Sequence, residues 1–339
     1  MRSIKVKFNS LLFSIACLFT SSLQLSPAIA INTPEGLAIE LNADKGNRGD
    51  RSKNTLVNIA STQGNEENVA IDDSNSISNQ GQINSKPLVF LLMGQSNACG
   101  TEDIGDTTNY LTQHPNVRKY IQSTTKEGEQ FTESLVPFCE KWYDHNSNGK
   151  ASLMNTFLQK MVEQYPQQKF DVLNCSIPGS SIQSYEKGKA IEMNFYGNNF
   201  QTGDSNIYEH CVRRTKEVLE QGGGILAGVL FHQGETDNSA SYWKPAVENV
   251  VRNFRQDLNS DVPFIFGHIV PIPENENHNQ IVDSLKDTSN GIGVVSSQNL
   301  SYQSDRLHFD EQGSLGLGLR YAEEMLKFLN SETNSTIEN

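Results

Sequence analysis

The sequence predicts an α/β fold, a three-layer α/β/α sandwich around a mainly parallel, doubly wound sheet of five strands. Three observations predict it: short apolar runs, segments with helical apolar spacing, and the alternation of the two along the chain. Runs that are apolar on both faces are typical of parallel strands covered by helices on each side. Their alternation with helices favours one doubly wound domain.

The strand candidates share a composition rich in aliphatic and aromatic residues. They are Leu88–Met93, Phe170–Cys175, Gly228–Phe231, Pro263–Val270 and Ile292–Ser296. In doubly wound sheets, ligands bind beyond the carboxyl ends of the strands. The residues that directly follow these runs are therefore the candidates for chemistry.

Three segments between the strands carry apolar residues three or four positions apart, the spacing of an amphipathic helix. The first segment has Ile207, Cys211, Val218 and Leu219 on one face. The second has Tyr242, Val247, Val250, Val251, Phe254 and Leu258. The third, residues 314–329, has Leu315, Leu319, Ala322, Met325, Leu326 and Leu329. Asp310 precedes the third segment and is its predicted N-cap.

Residues 1–30 have the pattern of a secretory signal peptide. A basic start is followed by the apolar run Leu11–Phe19 and by Ala28-Ile29-Ala30, with cleavage expected after Ala30. The alternative is a lipoprotein signal that uses Cys17. Either interpretation predicts a secreted, periplasmic or cell-surface protein. No later segment has the ~20 apolar residues of a transmembrane helix, so no membrane insertion is expected after cleavage.

Residues 31–86 are polar, without apolar periodicity, and are expected to be a disordered linker because they cannot bury enough surface to offset their ordering entropy. The predicted domain is 87–330, followed by a disordered tail at 331–339. The formal net charge of the chain is -13. Because phosphate contacts supply most nucleic-acid affinity, this acidity argues against a nucleic-acid partner. It is compatible with a neutral substrate such as an acylated sugar.

Four cysteines remain once the signal is removed: Cys99, Cys139, Cys175 and Cys211. In an oxidising compartment, four cysteines predict one or two disulfides, with three connectivities open. Four buried free thiols are the alternative. The cysteine spacings do not suggest a metal site.

The segment Gly94-Gln95-Ser96-Asn97 follows the first strand. A glycine permits a sharp turn there, which would expose the Ser96 hydroxyl at the ligand edge of the sheet as a nucleophile. A serine that only caps a helix is the alternative.

Asp305 and His308 lie on a turn between the last strand and the last helix. With this spacing the Asp305 carboxylate can hold the His308 Nδ1–H and leave Nε2 facing Ser96. The alternative is a solvated histidine beside an ordinary turn residue.

Two further polar segments follow strands. In the segment HQGETD, residues 232–237, the Gln233 amide can donate to an oxyanion. In SIPGSS, residues 176–181, the Gly179 N–H can do the same. Plain turn or helix-entry roles are the alternatives.

On GQSN, HQGE-x-D and DRLHFD, in this order, residues 87–329 resemble the sialate O-acetylesterase-like domain of the SGNH hydrolases, and are similar to acetylxylan esterases of carbohydrate esterase family six. The resemblance implies a catalytic triad of Ser96, His308 and Asp305. It implies an oxyanion hole of the Ser96 and Gly179 N–H groups with the Gln233 side chain. Gln95, Asn97 and Glu235 would be supporting residues, although Glu235 is also an alternative partner for His308.

The expected activity is hydrolysis of O-acetyl esters on carbohydrates, such as acetylated xylan or O-acetylated sialic acid, through an acetyl-serine intermediate. Neither a cofactor nor a metal is expected. The alternatives are an esterase for short acyl esters that are not carbohydrates, a transferase that moves acetyl groups between sugars, and a catalytically silent carbohydrate-binding surface protein.

Overall fold

The computed structural model describes residues 86–100, 110–123, 125–136, 138–139, 152–189, 194–195, 198–199 and 202–335. The predicted signal peptide and residues 31–85 of the predicted linker lie outside the described residues, and their boundaries stay predictions. Within the described ranges, no helix is both long and apolar enough to cross a membrane.

The described elements alternate between strands and helices. The strands are β1 (Leu88–Gly94), β2 (Val117–Tyr120), β3 (Phe131–Thr132), β4 (Phe170–Asn174), β5 (Asn194–Phe195), β6 (Asn198–Asn199), β7 (Ile225–His232), β8 (Phe264–Gly267) and β9 (Ile292–Val295). The α-helices are α1 (Ser96–Cys99), α2 (Leu153–Gln164), α3 (Ile207–Gly222), α4 (Trp243–Leu258), α5 (Glu276–Asp283) and α6 (Glu311–Ser335). All five predicted strands and the three predicted helices are present.

The main sheet has seven strands in the order β3-β2-β4-β1-β7-β8-β9, so the prediction of five strands is wrong. All its neighbours pair in parallel except β2 and β3, which are antiparallel. The two strands of this sheet that were not predicted, β2 and β3, lie together at one edge. Strand β2 reads Val-Arg-Lys-Tyr, and its charged residues hide it from a search for apolar runs. The short strands β5 and β6 form a separate pair.

Helices cover both faces of the main sheet, which confirms the three-layer architecture. In β1, the side chains of Val89, Leu91 and Met93 pack into a core that also contains residues of α3 and α4. The alternate side chains Phe90 and Leu92 pack into the opposite core with residues of α2 and α6. Because successive strand residues face opposite sides of a sheet, a continuous apolar run serves both cores.

The ends of the helices agree with the sequence in one case and differ from the prediction in two. Asp310 Oδ1 accepts the Gly313 N–H at 2.8 Å, which confirms Asp310 as the N-cap of α6. Helix α6 continues to Ser335, five residues into the segment 331–339 that was expected to be disordered. Helix α2 was missed, although Ser152 and Asn155 form a capping box at its start.

One disulfide joins Cys99 to Cys139. It therefore fastens the last residue of α1, the short helix that begins at Ser96, to the chain that follows β3. Cys175 and Cys211 are buried free thiols. The prediction of one or two disulfides is confirmed with one, and the alternative of four free thiols is wrong.

Candidate active site

The turn that presents Ser96 depends on Gly94. This residue has a φ of 132°, and a Cβ atom at its position would lie 1.9 Å from the backbone oxygen of His232 at the end of β7. The next residue, Gln95, donates its N–H to the same His232 oxygen at 3.1 Å. The chain therefore leaves β1 pressed against β7, and only glycine fits this approach.

The three residues predicted as a triad lie together at the carboxyl end of β1. Ser96 Oγ lies 2.9 Å from His308 Nε2, and His308 Nδ1 lies 2.7 Å from Asp305 Oδ2. The other carboxylate oxygen, Asp305 Oδ1, accepts the backbone N–H groups of Leu307 and His308 at 2.9 and 3.0 Å. This arrangement can transfer a proton from the serine hydroxyl to the imidazole, as in serine hydrolases.

The Asp305 carboxyl is suited to holding the ring of His308. Partial burial acts to raise the pKa of Asp305, but the N–H groups of His308 and Leu307 and the His308 ring outweigh it, so the pKa lies below its ordinary value. An ionised carboxylate keeps the proton on Nδ1, which leaves the Nε2 lone pair directed at Ser96. The Ser96 residue itself is 5 % exposed, at the floor of the site.

Hydrogen bonds hold the turn after β4 beside Ser96. Ile177 donates its N–H to the Gly94 oxygen at 2.9 Å, and the Tyr185 hydroxyl bonds to the Gly94 and Cys175 oxygens. Two residues past Ile177, Gly179 is exposed and has a φ of 72°. The backbone N–H groups of Ser96 and Gly179 bond to nothing in the described part of the chain. Both remain available to an oxyanion.

The side chain of Gln233 is fully engaged by protein groups. Trp243 donates its indole N–H to Gln233 Oε1 at 2.6 Å, which fixes the orientation of the amide because an indole is only a donor. Gln233 Nε2 then donates to Asp237 Oδ2 at 2.6 Å, and to Gln95 Oε1 and the Ser180 oxygen, each at 3.3 Å. Its predicted role as a direct oxyanion donor stays a prediction, because that role requires Nε2 to exchange one of these partners.

Gln95 is the last side chain in this series of hydrogen bonds. Its Oε1 accepts from Gln233 Nε2 and from the Thr236 N–H at 3.4 Å, so the oxygen side of the amide is identified. Its Nε2 has no partner among the residues described. The residue that precedes Ser96 thus has two amide N–H groups left for a ligand.

The side chains of Asn97 and Glu235 are joined by a hydrogen bond next to Ser96 and His308. Asn97 also bonds to the backbone on both sides of His308. The structure joins Asp305, and not Glu235, to His308, so the alternative partner suggested for His308 is wrong. Glu235 Oε1 lies instead 3.4 Å from His232 Nε2.

Asp237, the last residue of the HQGETD segment, links three parts of the site. Besides Gln233, its carboxylate accepts the Ile182 N–H at 2.6 Å and the Tyr242 hydroxyl at 2.8 Å. Trp243 was missed altogether. A tryptophan ten residues after Gln233 gives no sign in the sequence that its N–H orients that side chain.

Comparison with known proteins shows the family of this chain. Residues 86–327 match the family described as carbohydrate esterase, sialic acid-specific acetylesterase. A probable carbohydrate esterase of Arabidopsis thaliana is 28% identical over 162 residues, which is 45% of this chain and 54% of that relative. The match therefore spans about half the length of the curated relative.

Two solved structures share the fold. That of the same Arabidopsis thaliana protein has a TM-score of 0.56 and 20% identity, and the match covers 71% of this chain and 98% of that one. The structure of NanS has a TM-score of 0.52 and 17% identity, and the match covers 74% and 99% of the two chains. The family match covers most of the described domain, so the chain belongs to this family of carbohydrate esterases, which are carboxylic ester hydrolases.

Proposed function

We propose that the chain hydrolyses O-acetyl esters on a carbohydrate through an acetyl intermediate on Ser96. The observation that carries the proposal is the continuous contact from Ser96 Oγ to His308 Nε2, 2.9 Å, and from His308 Nδ1 to Asp305 Oδ2, 2.7 Å. Membership of a carbohydrate esterase family supports the substrate class. The Cys99–Cys139 disulfide supports the predicted export, because disulfides persist in oxidising compartments.

The reaction proceeds in two steps. Ser96 Oγ attacks the acetyl carbonyl carbon as its proton passes to His308 Nε2, and the carbonyl electrons move onto the oxygen. Collapse of this intermediate expels the sugar alcohol, which takes the proton from His308. Water, deprotonated by His308, then attacks the acetyl-serine. The bond between the acyl carbon and Ser96 Oγ breaks, acetate is released, and the proton returns from His308 to Ser96 Oγ. Asp305 stabilises the imidazolium in both steps.

Three donors surround the developing oxyanion. Two are the backbone N–H groups of Ser96 and Gly179. The third is the side-chain amide of Gln95, whose Nε2 is unpaired within the described residues, while Gln233 orients that amide through its bond to Gln95 Oε1. This differs from a direct role of Gln233 and accounts for a glutamine in each of the two motifs.

The Gln95→Glu variant separates the two roles. A carboxylate keeps the acceptor for Gln233 and for the Thr236 N–H but lacks the N–H donors, so we expect kcat to fall on the order of 10²–10³-fold with KM nearly unchanged. Steady-state kinetics with p-nitrophenyl acetate measures this. If the kcat of the variant stays within threefold of the wild-type value, Gln233 and not Gln95 is the side-chain donor to the oxyanion.

The function is tested by acetate release from the full chain. Acetylated xylan and O-acetylated sialic acid are the glycan substrates, and p-nitrophenyl acetate, butyrate and palmitate serve as acyl-length controls. Acetate release from a glycan, with activity that falls as the acyl chain lengthens, is the expected result. Activity on the nitrophenyl esters alone would favour a substrate that is not a carbohydrate. Acetyl transfer to an added sugar acceptor would indicate a transferase, and a folded chain without any activity would refute the proposal.

A further inference from the structure

The side chain of Asn97 connects the element that carries Ser96 to the loop that carries His308. Asn97 Oδ1 accepts the Phe309 N–H at 3.0 Å, and Asn97 Nδ2 donates to the Leu307 oxygen, also at 3.0 Å. The orientation of the amide is determined by its partners, since a backbone N–H only donates and a carbonyl only accepts. Both neighbours of His308 are thus held by the residue next to Ser96.

The second N–H of Asn97 Nδ2 donates to Glu235 Oε1 at 2.5 Å. The Glu235 side chain is 2% exposed. Burial acts to raise the pKa of Glu235, but the nearby His232 ring and the Asn97 amide outweigh it, so the pKa lies below its ordinary value. An ionised acceptor makes a stronger hydrogen bond than a neutral one, and Glu235 therefore holds the Asn97 amide in the orientation that the loop requires.

Apart from the bonds to Asn97, the loop is attached to the rest of the protein by an exposed ion pair between Arg306 and Glu274, 2.7 Å, and by the buried ring of Phe309. Around His308, the side chains of Asp305 and Arg306 are 43% and 54% exposed, and Leu307 is 44% exposed. The bonds from Asp305 to Leu307 and His308, and from the Gln303 N–H to the His308 oxygen, stay within the loop. They give the loop its shape, but they do not determine its distance from Ser96.

We propose that Asn97 and Glu235 are positioning residues that set the separation of His308 Nε2 from Ser96 Oγ. The proposal rests on the proposed function, since it concerns proton transfer between those two atoms. Neither residue contacts substrate in this mechanism. Their loss should therefore lower kcat and the reactivity of Ser96 while KM stays nearly constant.

The Asn97→Asp, Glu235→Gln and double variants of the full chain form the test. Asn97→Asp keeps the acceptor for the Phe309 N–H but places a second carboxylate against Glu235, with no donor for Leu307. We expect kcat on p-nitrophenyl acetate to fall about 10²-fold, the scale of a misplacement of 1 Å. Glu235→Gln keeps a neutral acceptor for Asn97 and should lose a few-fold.

The double variant reverses the polarity of the bond. A glutamine at 235 can donate to an aspartate at 97, which removes the repulsion, so the double variant should recover at least tenfold of the loss caused by Asn97→Asp. If the two residues acted without their mutual bond, no such recovery would be expected, because two damaging changes that do not interact add. The rate of Ser96 modification by a fluorophosphonate should follow kcat across the three variants, and urea unfolding midpoints establish that each is folded.

The outcomes distinguish the two proposals. A wild-type chain that does not react with the fluorophosphonate would overturn the proposed function and the positioning role together. A reactive wild type, with a folded Asn97→Asp variant of equal reactivity or a double variant no better than Asn97→Asp, would overturn the positioning role alone. If Asn97→Asp does not fold, Glu235→Ala replaces it, with an expected tenfold loss in kcat at constant KM. Wild-type kinetics in that variant would refute the role of Glu235.

Discussion

Ser96→Ala is expected to lower kcat for acetate release about 10⁶-fold, the scale of loss when the nucleophile of a serine hydrolase is removed. Within the described structure, His308 Nε2 is directed at the Ser96 hydroxyl, 2.9 Å away. Without that oxygen no acetyl-enzyme forms, and only direct attack by water remains. Steady-state acetate release, and trapping of the acetyl group on the protein by mass spectrometry after rapid quenching, measure the two consequences.

The fold should tolerate this change, since the side chain is small and no cavity larger than one oxygen atom results. Ser241→Ala is the matched control because it removes an exposed hydroxyl from the loop after β7. It should retain wild-type kinetics and so shows that a serine-to-alanine change does not by itself remove activity. A Ser96→Ala preparation that keeps more than about one hundredth of the activity of this control would contradict the acyl-serine mechanism.

The sequence predicted that Ser96, His308 and Asp305 lie together because the necessary signals are local. The segments with Ser96, Gly179 and Gln233 each directly follow an apolar run, and the carboxyl ends of parallel strands meet at one edge of the sheet. The segment with Asp305 and His308 lies between the last run and the last helix. Asp305 and His308 are three residues apart, so their contact needs only a turn. The contact between Ser96 and His308, which are 212 residues apart, then follows because the carboxyl ends of β1 and β9 lie at the same edge of the sheet.

The network around the triad was not predictable in the same way. Whether the Gln233 amide faces the substrate or the protein depends on Asp237, the last residue of the motif, and on Trp243, which lies beyond it. Two bonds of Asn97 reach the backbone of a loop more than 200 residues along the chain, to Leu307 and Phe309, and no side-chain pattern in the sequence marks a backbone acceptor or donor. Amide orientation is decided by the surrounding donors and acceptors, and one sequence does not contain their positions.

The missing strands have a different cause. Strand β2 contains Arg118 and Lys119, and its burial is possible because these charges have partners that the sequence does not reveal. Arg118 forms an ion pair with Asp171 of β4 at 2.8 Å, and Lys119, although 3% exposed, donates to the Phe138 oxygen at 3.4 Å. A search for apolar runs finds strands that are buried by composition and misses strands whose polar residues are satisfied by tertiary contacts.

Gly94→Ala is expected to have the largest effect on the fold of the site. The added methyl group would meet the His232 backbone oxygen at 1.9 Å, in a main chain with a φ of 132°. Overpacking costs about 1–3 kcal/mol and a strained backbone conformation of this kind about 1–3 kcal/mol, so we expect a loss of about 2–6 kcal/mol in the free energy of unfolding. Urea unfolding followed by tryptophan fluorescence measures it.

Gly188→Ala is the matched control for this prediction. Gly188 also has a positive φ, 77°, but a Cβ atom there would have no neighbour within 4 Å. The free energy of unfolding of this variant should fall only by the cost of the backbone conformation, about 1–2 kcal/mol, and its kcat should not change. Equal losses in the two variants would mean that β1 and β7 separate easily at their ends.

Gly94→Ala should also lose activity in its folded fraction, because the residue two positions before Ser96 can relieve the contact with β7 only by moving the nucleophile away from His308. A folded Gly94→Ala variant with wild-type kcat would show that the position of Ser96 does not depend on the close approach of the two strand ends.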